Sequence, residues 1–168
     1  MTRRSTTRRS RITTSPSGDP TYAPAYNGRG STWSVKKNYD KAIADYNEAI
    51  RLDPKLAPAY NNRGNAWREK REYDKAIADY NEAIRLDPTY AIAYNNRGVA
   101  WSDKKEYEKA IGDYNEAIRL DPGFALAYNI RGNAWRDKKE YDRAIADFNE
   151  AFRLDPKLGF VYFNRGAA

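Results

Sequence analysis

A thirteen-residue phrase, AIADYNEAIRLDP, occupies residues 42–54 and returns letter for letter at 76–88. Near-copies follow at 110–122, with Gly112 for Ala, and at 144–156, with Phe148 for Tyr and Phe152 for Ile. Each copy begins 34 residues after the last. A period of this length constrains the fold more than any other feature of the chain, because a unit so small cannot bury its own apolar face and has to borrow a neighbour's. On this period the chain divides into a leader (1–22), four copies (23–56, 57–90, 91–124, 125–158) and a stub (159–168) that begins a fifth.

Each copy holds two amphipathic segments. In the second copy the first segment is APAYNNRGNAWREK, in which Tyr60, Gly64 and Trp67 share one helical face and Pro58 sits where the first turn of a helix tolerates proline. The second is YDKAIADYNEAIRL, in which Tyr73, Ala76, Ile77, Tyr80, Ala83 and Ile84 make a single apolar stripe. Asp74 in its first turn and Arg85 in its last suit the helix dipole, and Glu82 stands three residues before Arg85, within pairing reach. Asp87-Pro88 then ends the helix, since a residue before proline avoids the α region. The predicted unit is a helix hairpin. Gly30, Gly64, Gly98, Gly132 and Gly166 lack a side chain where helices must come close, and Ala76 and Ala83 with their equivalents leave room from the other side.

Composition agrees with a packed chain. Mean hydropathy is −0.98, yet 14% of residues are aromatic, more than a disordered chain of that polarity would carry. There is no Cys and no His, which removes disulfides, thiolate chemistry, the commonest general base and the commonest metal ligand. No apolar run is long enough for a membrane-spanning helix and no apolar segment marks a secretory leader, so the cytoplasm is the expected compartment. The formal charge is +7, of which residues 1–20 supply +4 through Arg3, Arg4, Arg8, Arg9 and Arg11 against Asp19. That Arg-, Ser- and Thr-rich leader is expected to be disordered.

The aromatic, Gly, Ala, aromatic, Ala and Pro positions, represented in the second copy by Tyr60, Gly64, Trp67, Ala76, Tyr80, Ala83 and Pro88, resemble the signature of the tetratricopeptide repeat. The resemblance spans 23–158 and the stub, and implies an all-α, right-handed α-solenoid. One position departs from it: the family usually has Leu before the Gly, and this chain has Arg29, Arg63, Arg97, Arg131 and Arg165. A guanidinium near a helix seam needs a partner, for which Asp45, Asp79, Asp113 and Asp147 are candidates; the alternative is that each Arg reaches out to water.

The resemblance further implies that the first helix of each copy lines a concave groove and that the protein is a non-catalytic scaffold for an extended peptide or a partner's helix. The groove positions then read Asn27 in the first copy, with Ser31 and Ser34 beyond it; Asn61, Asn62, Asn65, Arg68 and Glu69 in the second; Ile92, Asn95, Asn96, Val99, Ser102 and Asp103 in the third; and Leu126, Asn129, Ile130, Asn133 and Arg136 in the fourth. Asn27, Asn61, Asn95 and Asn129 form a column. An asparagine carries a donor and an acceptor and can hold a peptide backbone of any sequence, or it can knit neighbouring helices together. Residues that vary between copies, namely Arg68, Ile92, Val99, Ile130 and Arg136, are the freer candidates for selecting a ligand. The lysine and arginine clamp with which some relatives hold a terminal carboxylate is replaced here by Pro, Ile, Leu and Asn.

Other chemistries find little support. The recurring acids, such as Asp45 and Glu48, stand at helix-surface spacing rather than in one concave site, and the Gly residues belong to NRGN-like stretches instead of a phosphate-cradling loop. An enzyme is not expected, and no cofactor is called for. Two further partners stay open. The arginine-rich leader could meet nucleic acid or an anionic membrane, or simply be solvated. The stub, with Phe160, Tyr162 and Phe163, could cap the array or be a place of end-to-end self-association.

Overall fold

The computed structural model describes residues 22–157; the arginine-rich part of the leader and the stub 159–168 lie outside them. Among the described residues there are eight α-helices: α1 (Ala23–Val35), α2 (Tyr39–Leu52), α3 (Ala57–Glu69), α4 (Tyr73–Leu86), α5 (Ala91–Asp103), α6 (Tyr107–Leu120), α7 (Ala125–Asp137) and α8 (Tyr141–Leu154). None is long and apolar enough to cross a membrane. Each 34-residue copy contributes one hairpin, an odd-numbered helix followed by an even-numbered one, and the hairpins stack in chain order into an all-α solenoid.

Local chemistry marks the helix ends. Pro24 and Pro58 stand in the first turns of α1 and α3. Asn38 caps α2 through its side chain, which accepts from the Lys41 amide at 3.2 Å. At the end of α4, Asp87 turns extended before Pro88, and its Oδ1 accepts from the Thr89 amide at 2.9 Å, closing the turn into α5. The tight turn inside each hairpin is a Schellman motif. After α5, for example, the Glu106 amide donates to the Trp101 carbonyl and the Lys105 amide to that of Ser102, with Lys105 held at φ 63°. Lys37, Arg71 and Lys139 take the same left-handed conformation in the other hairpins.

The core is distributed along the stack. One cluster joins Ala42, Ile43 and Tyr46 of α2 to Ala66 of α3; the next joins Ala76, Ile77 and Tyr80 to Ala100; the third joins Ala110, Ile111 and Tyr114 to Ala134. The helices α2, α4 and α6 thus seal their apolar stripes against the first helix of the following repeat. Within the hairpin the approach is closest at the glycine. A Cβ at Gly64 would lie 2.7 Å from Cε1 of Tyr80, a distance no side chain could hold, and the same ring-on-glycine contact recurs in every repeat.

Among the described residues, each Arg that replaces the usual Leu (Arg29, Arg63, Arg97 and Arg131) is held by the Asp of its own repeat, and Arg165 lies outside them. Arg63 donates from Nε and Nη2 to the two oxygens of Asp79 at 2.8 and 2.6 Å, and Nη1 donates to Asn47 of the preceding repeat at 2.7 Å. Arg97 and Arg131 repeat the pattern with Asp113 and Asn81, and with Asp147 and Asn115. The planar fork matches the carboxylate, and its third bond crosses the repeat boundary, so the network aligns neighbouring hairpins. Tyr60, Tyr94 and Tyr128 lie under these guanidinium groups at about 5.5 Å.

Candidate functional site

The odd-numbered helices also touch one another across repeats, α1 with α3, α3 with α5 and α5 with α7. They therefore form one continuous wall, with the even helices packed behind it. The stacking of two-helix units brings the predicted groove positions of successive repeats side by side on that wall.

The asparagine column faces the seam between helices. Asn61, Asn95 and Asn129 are only 3%, 4% and 7% exposed. Asn62 donates from Nδ2 to Oδ1 of Asn27 at 3.1 Å, and Asn96 donates in the same way to Asn61 at 2.9 Å. Each bond links residues 35 apart, the fifth position of one repeat to the sixth of the next. This ladder ties α1 to α3 and α3 to α5. At the next junction the donor position is Ile130, and there Asn95 Oδ1 and Asn129 Nδ2 are buried without a hydrogen-bond partner. A buried polar atom left in this way costs ~1–3 kcal/mol.

The half-buried members of the wall are more varied. Asn65 accepts from the Tyr80 hydroxyl at 2.7 Å. In the third repeat its place is taken by Val99, and the Tyr114 hydroxyl pairs with Ser102 at 3.2 Å. In the fourth the ring is Phe148, which offers no hydroxyl to Asn133. Val99 and Ile130 each pack against the cluster of Ala110, Ile111, Tyr114 and Ala134. Ile92 is half exposed, at 48%.

Charge collects one repeat earlier. Arg68 donates to Glu69 Oε1 at 2.8 Å and lies 3.9 Å from Asp103 of the next repeat. Burial works against the Arg68 charge, but Glu69, Tyr80 and Asp103 outweigh it and the group is raised above the ordinary arginine value. The bond from Arg68 holds Glu69 below the usual carboxylate range, whereas burial raises Asp103 despite the nearby guanidinium. Arg136, its counterpart in the fourth repeat, is exposed and only 3.9 Å from the adjacent Asp137.

Tyr46, Tyr80 and Tyr114 were not among the groove residues predicted from sequence, where Tyr80 was read only as part of an apolar stripe. They belong to the even helices, but each buried ring sends its hydroxyl through to the wall, with Tyr46 meeting Ser34 at 3.3 Å and Ser31 at 3.4 Å. Comparison of the copies gives no signal for this role, because the fourth repeat keeps Asn133 in the place of Asn65 and still has Phe148 as its ring.

A similar wall exists in solved structures. The chain superposes on the crystal structure of MamA with a TM-score of 0.75 and 30% identity, covering 84% of this chain and 82% of that one. It also resembles the first tetratricopeptide domain of Spaghetti (RPAP3) bound to the HSP90 peptide SRMEEVD, with a TM-score of 0.68, 26% identity, and coverage of 72% of this chain and 96% of that one. The solution structure of the first such domain of human RPAP3 matches with a TM-score of 0.69 and 26% identity, over 74% and 98% of the two chains. Comparison with curated proteins yields no sequence match. The family model for the tetratricopeptide repeat matches residues 23–56, 57–90, 91–124 and 125–158, so the chain belongs to the tetratricopeptide repeat family.

Proposed function

We propose that this protein is a protein-interaction scaffold that holds an extended peptide along the wall formed by α1, α3, α5 and α7. The observation that carries this reading is the contrast within that wall. Residues that repeat in every copy, the Asn column and the Arg–Asp pairs, are spent on holding the hairpins together. Half-exposed residues that vary from copy to copy, namely Arg68, Ile92, Val99, Ile130, Asn133 and Arg136, are left to meet a ligand. The peptide-bound RPAP3 domain, which shares this fold, supports a peptide as the ligand. Stacked hairpins pre-organise the wall, so binding requires little ordering of the protein itself.

The test is selection of peptides from a random display library on the full chain. Selected peptides should lose about tenfold or more in affinity on Ile92→Arg, which places a charge in the wall, and keep their affinity on Ala78→Arg, which changes the exposed back of α4. Binding that is indifferent to Ile92→Arg overturns the groove reading.

A second reading, end-to-end self-association, is favoured by one observation. On α8, Tyr141, Ile145 and Phe152 are 58%, 57% and 56% exposed, whereas Ile111, the counterpart of Ile145 on α6, is 6% exposed beneath the following helix. Sedimentation of the full chain across a range of concentrations separates the readings, and a strictly monomeric chain removes this one.

A further inference from the structure

The asparagine ladder stops where the wall turns apolar. At the first two junctions the sixth residue of the incoming repeat, Asn62 or Asn96, donates to the asparagine of the repeat before. At the third, Ile130 stands in that register and cannot donate. Asn95 Oδ1 and Asn129 Nδ2 are left buried and unpartnered as a result. The chain therefore keeps at residue 130 a side chain that its own packing pattern disfavours, and a local rule broken at a cost to folding marks a place kept for function.

The neighbourhood shows what that function requires. Ile130 and Val99 both pack against the α6 cluster, at positions where the preceding junction has Asn96 and Asn65. Ile92, on the same helix as Val99, is half exposed where the second repeat has Pro58. The wall between the third and fourth repeats is thus apolar, next to the charged group of Arg68, Glu69 and Asp103.

Resting on the peptide-groove reading above, we propose that Val99 and Ile130 form an apolar side-chain subsite, with Ile130 as the selecting residue, for an aliphatic or aromatic residue of an extended peptide. Asparagine at 130 would complete the ladder and close the subsite to an apolar side chain; the isoleucine forgoes the bond and provides the contact.

The experiment repeats the peptide selection with the full-length Ile130→Asn and Ile130→Val proteins and follows the unfolding of each in urea. Wild type and Ile130→Val should both select peptides with an apolar residue fixed at one position. Ile130→Asn should lose that preference, bind the wild-type peptides about tenfold or more weaker, and unfold at higher urea. Peptides whose binding depends on the wall but which show no apolar preference, or the same preference in Ile130→Asn, overturn the subsite and leave the groove reading standing. Failure to select any wall-dependent peptide overturns both. A lower urea midpoint for Ile130→Asn shows that the isoleucine is there for packing and also overturns the proposal.

Discussion

A Cβ placed on Gly98 would stand 2.5 Å from Cε1 of Tyr114, so the ring occupies the space that any other residue at 98 would need. The contact is internal to the third hairpin, and Tyr114 itself is almost fully buried. Gly112, on the same hairpin, has nothing within 4 Å of its missing Cβ. The two glycines therefore respond oppositely to the same change. Gly98→Ala is expected to destabilise by ~1–3 kcal/mol through overpacking. Gly112→Ala, in the exposed interior of α6, is expected to stabilise by ~1 kcal/mol. Urea unfolding followed by circular dichroism reads both, and equal signs would refute the assignment of Gly98 to close packing.

The Arg97–Asp113 pair is expected to behave as a half-buried, bidentate bridge. Arg97→Leu installs the residue usual at this position in the family but strands the Asp113 carboxylate and removes the donor to Asn81. It is expected to cost ~3 kcal/mol. Adding Asp113→Leu should return most of that loss, because apolar groups then replace both charges. A double-mutant cycle measures the coupling, and additive losses would contradict the pairing as the source of the effect.

Asn61 is expected to be a structural residue. It accepts from Asn96 at 2.9 Å while buried between α3 and α5. Asn61→Ala should destabilise by ~1–3 kcal/mol, because the Asn96 amide loses its acceptor in the seam. If unfolding is unchanged and only peptide affinity falls, the asparagine column binds ligand and does not knit helices.

Stability should fall in alkali through the buried tyrosines. Burial pushes the Tyr114 hydroxyl up to about 12 from an ordinary value of 10.0, and burial raises Tyr80 as well. Because the folded pKa lies above the unfolded one, the folded state retains a proton that the unfolded state gives up. The stability is present in full below about pH 10 and is lost as pH rises towards about 12, by ~2–3 kcal/mol for Tyr114 alone. Urea midpoints measured at neutral and at alkaline pH should converge for Tyr114→Phe relative to wild type. An identical alkaline loss in the variant would assign the effect elsewhere.

Lys105 occupies a left-handed turn position, at φ 63°, that glycine fills without steric cost. Lys105→Gly is expected to stabilise by up to ~1 kcal/mol, the relief of the Cβ clash exceeding the extra entropy of the unfolded chain. Thermal unfolding checks the sign.

The helices, their hairpin order and the close approach at Gly30, Gly64, Gly98 and Gly132 were legible in the letters, because they rest on periodicity and on local backbone rules that each copy states again; that the Tyr80 ring, and not Ala76 or Ala83, meets Gly64 was not. Asp79 was identifiable as a candidate partner for Arg63 for the same reason, since one of each occurs in every copy. Its third bond, to Asn47 of the preceding repeat, was not, because that depends on how one hairpin is set against the next. The asparagine column was the harder case. Adjacent positions on a helix are about 100° apart, so Asn61 and Asn62 straddle the border between seam and wall, and a small rotation of α3 exchanges their roles. Only the packed stack decided that Asn61 is enclosed and that Asn62 reaches back to Asn27. The sequence alone determined that the chain is a stack of helix hairpins, through recurring local chemistry. Which wall residues are enclosed in the stack and which stay exposed was decided by tertiary structure, because burial and hydrogen-bond partners across repeats are set by the angle between hairpins, which no single copy encodes.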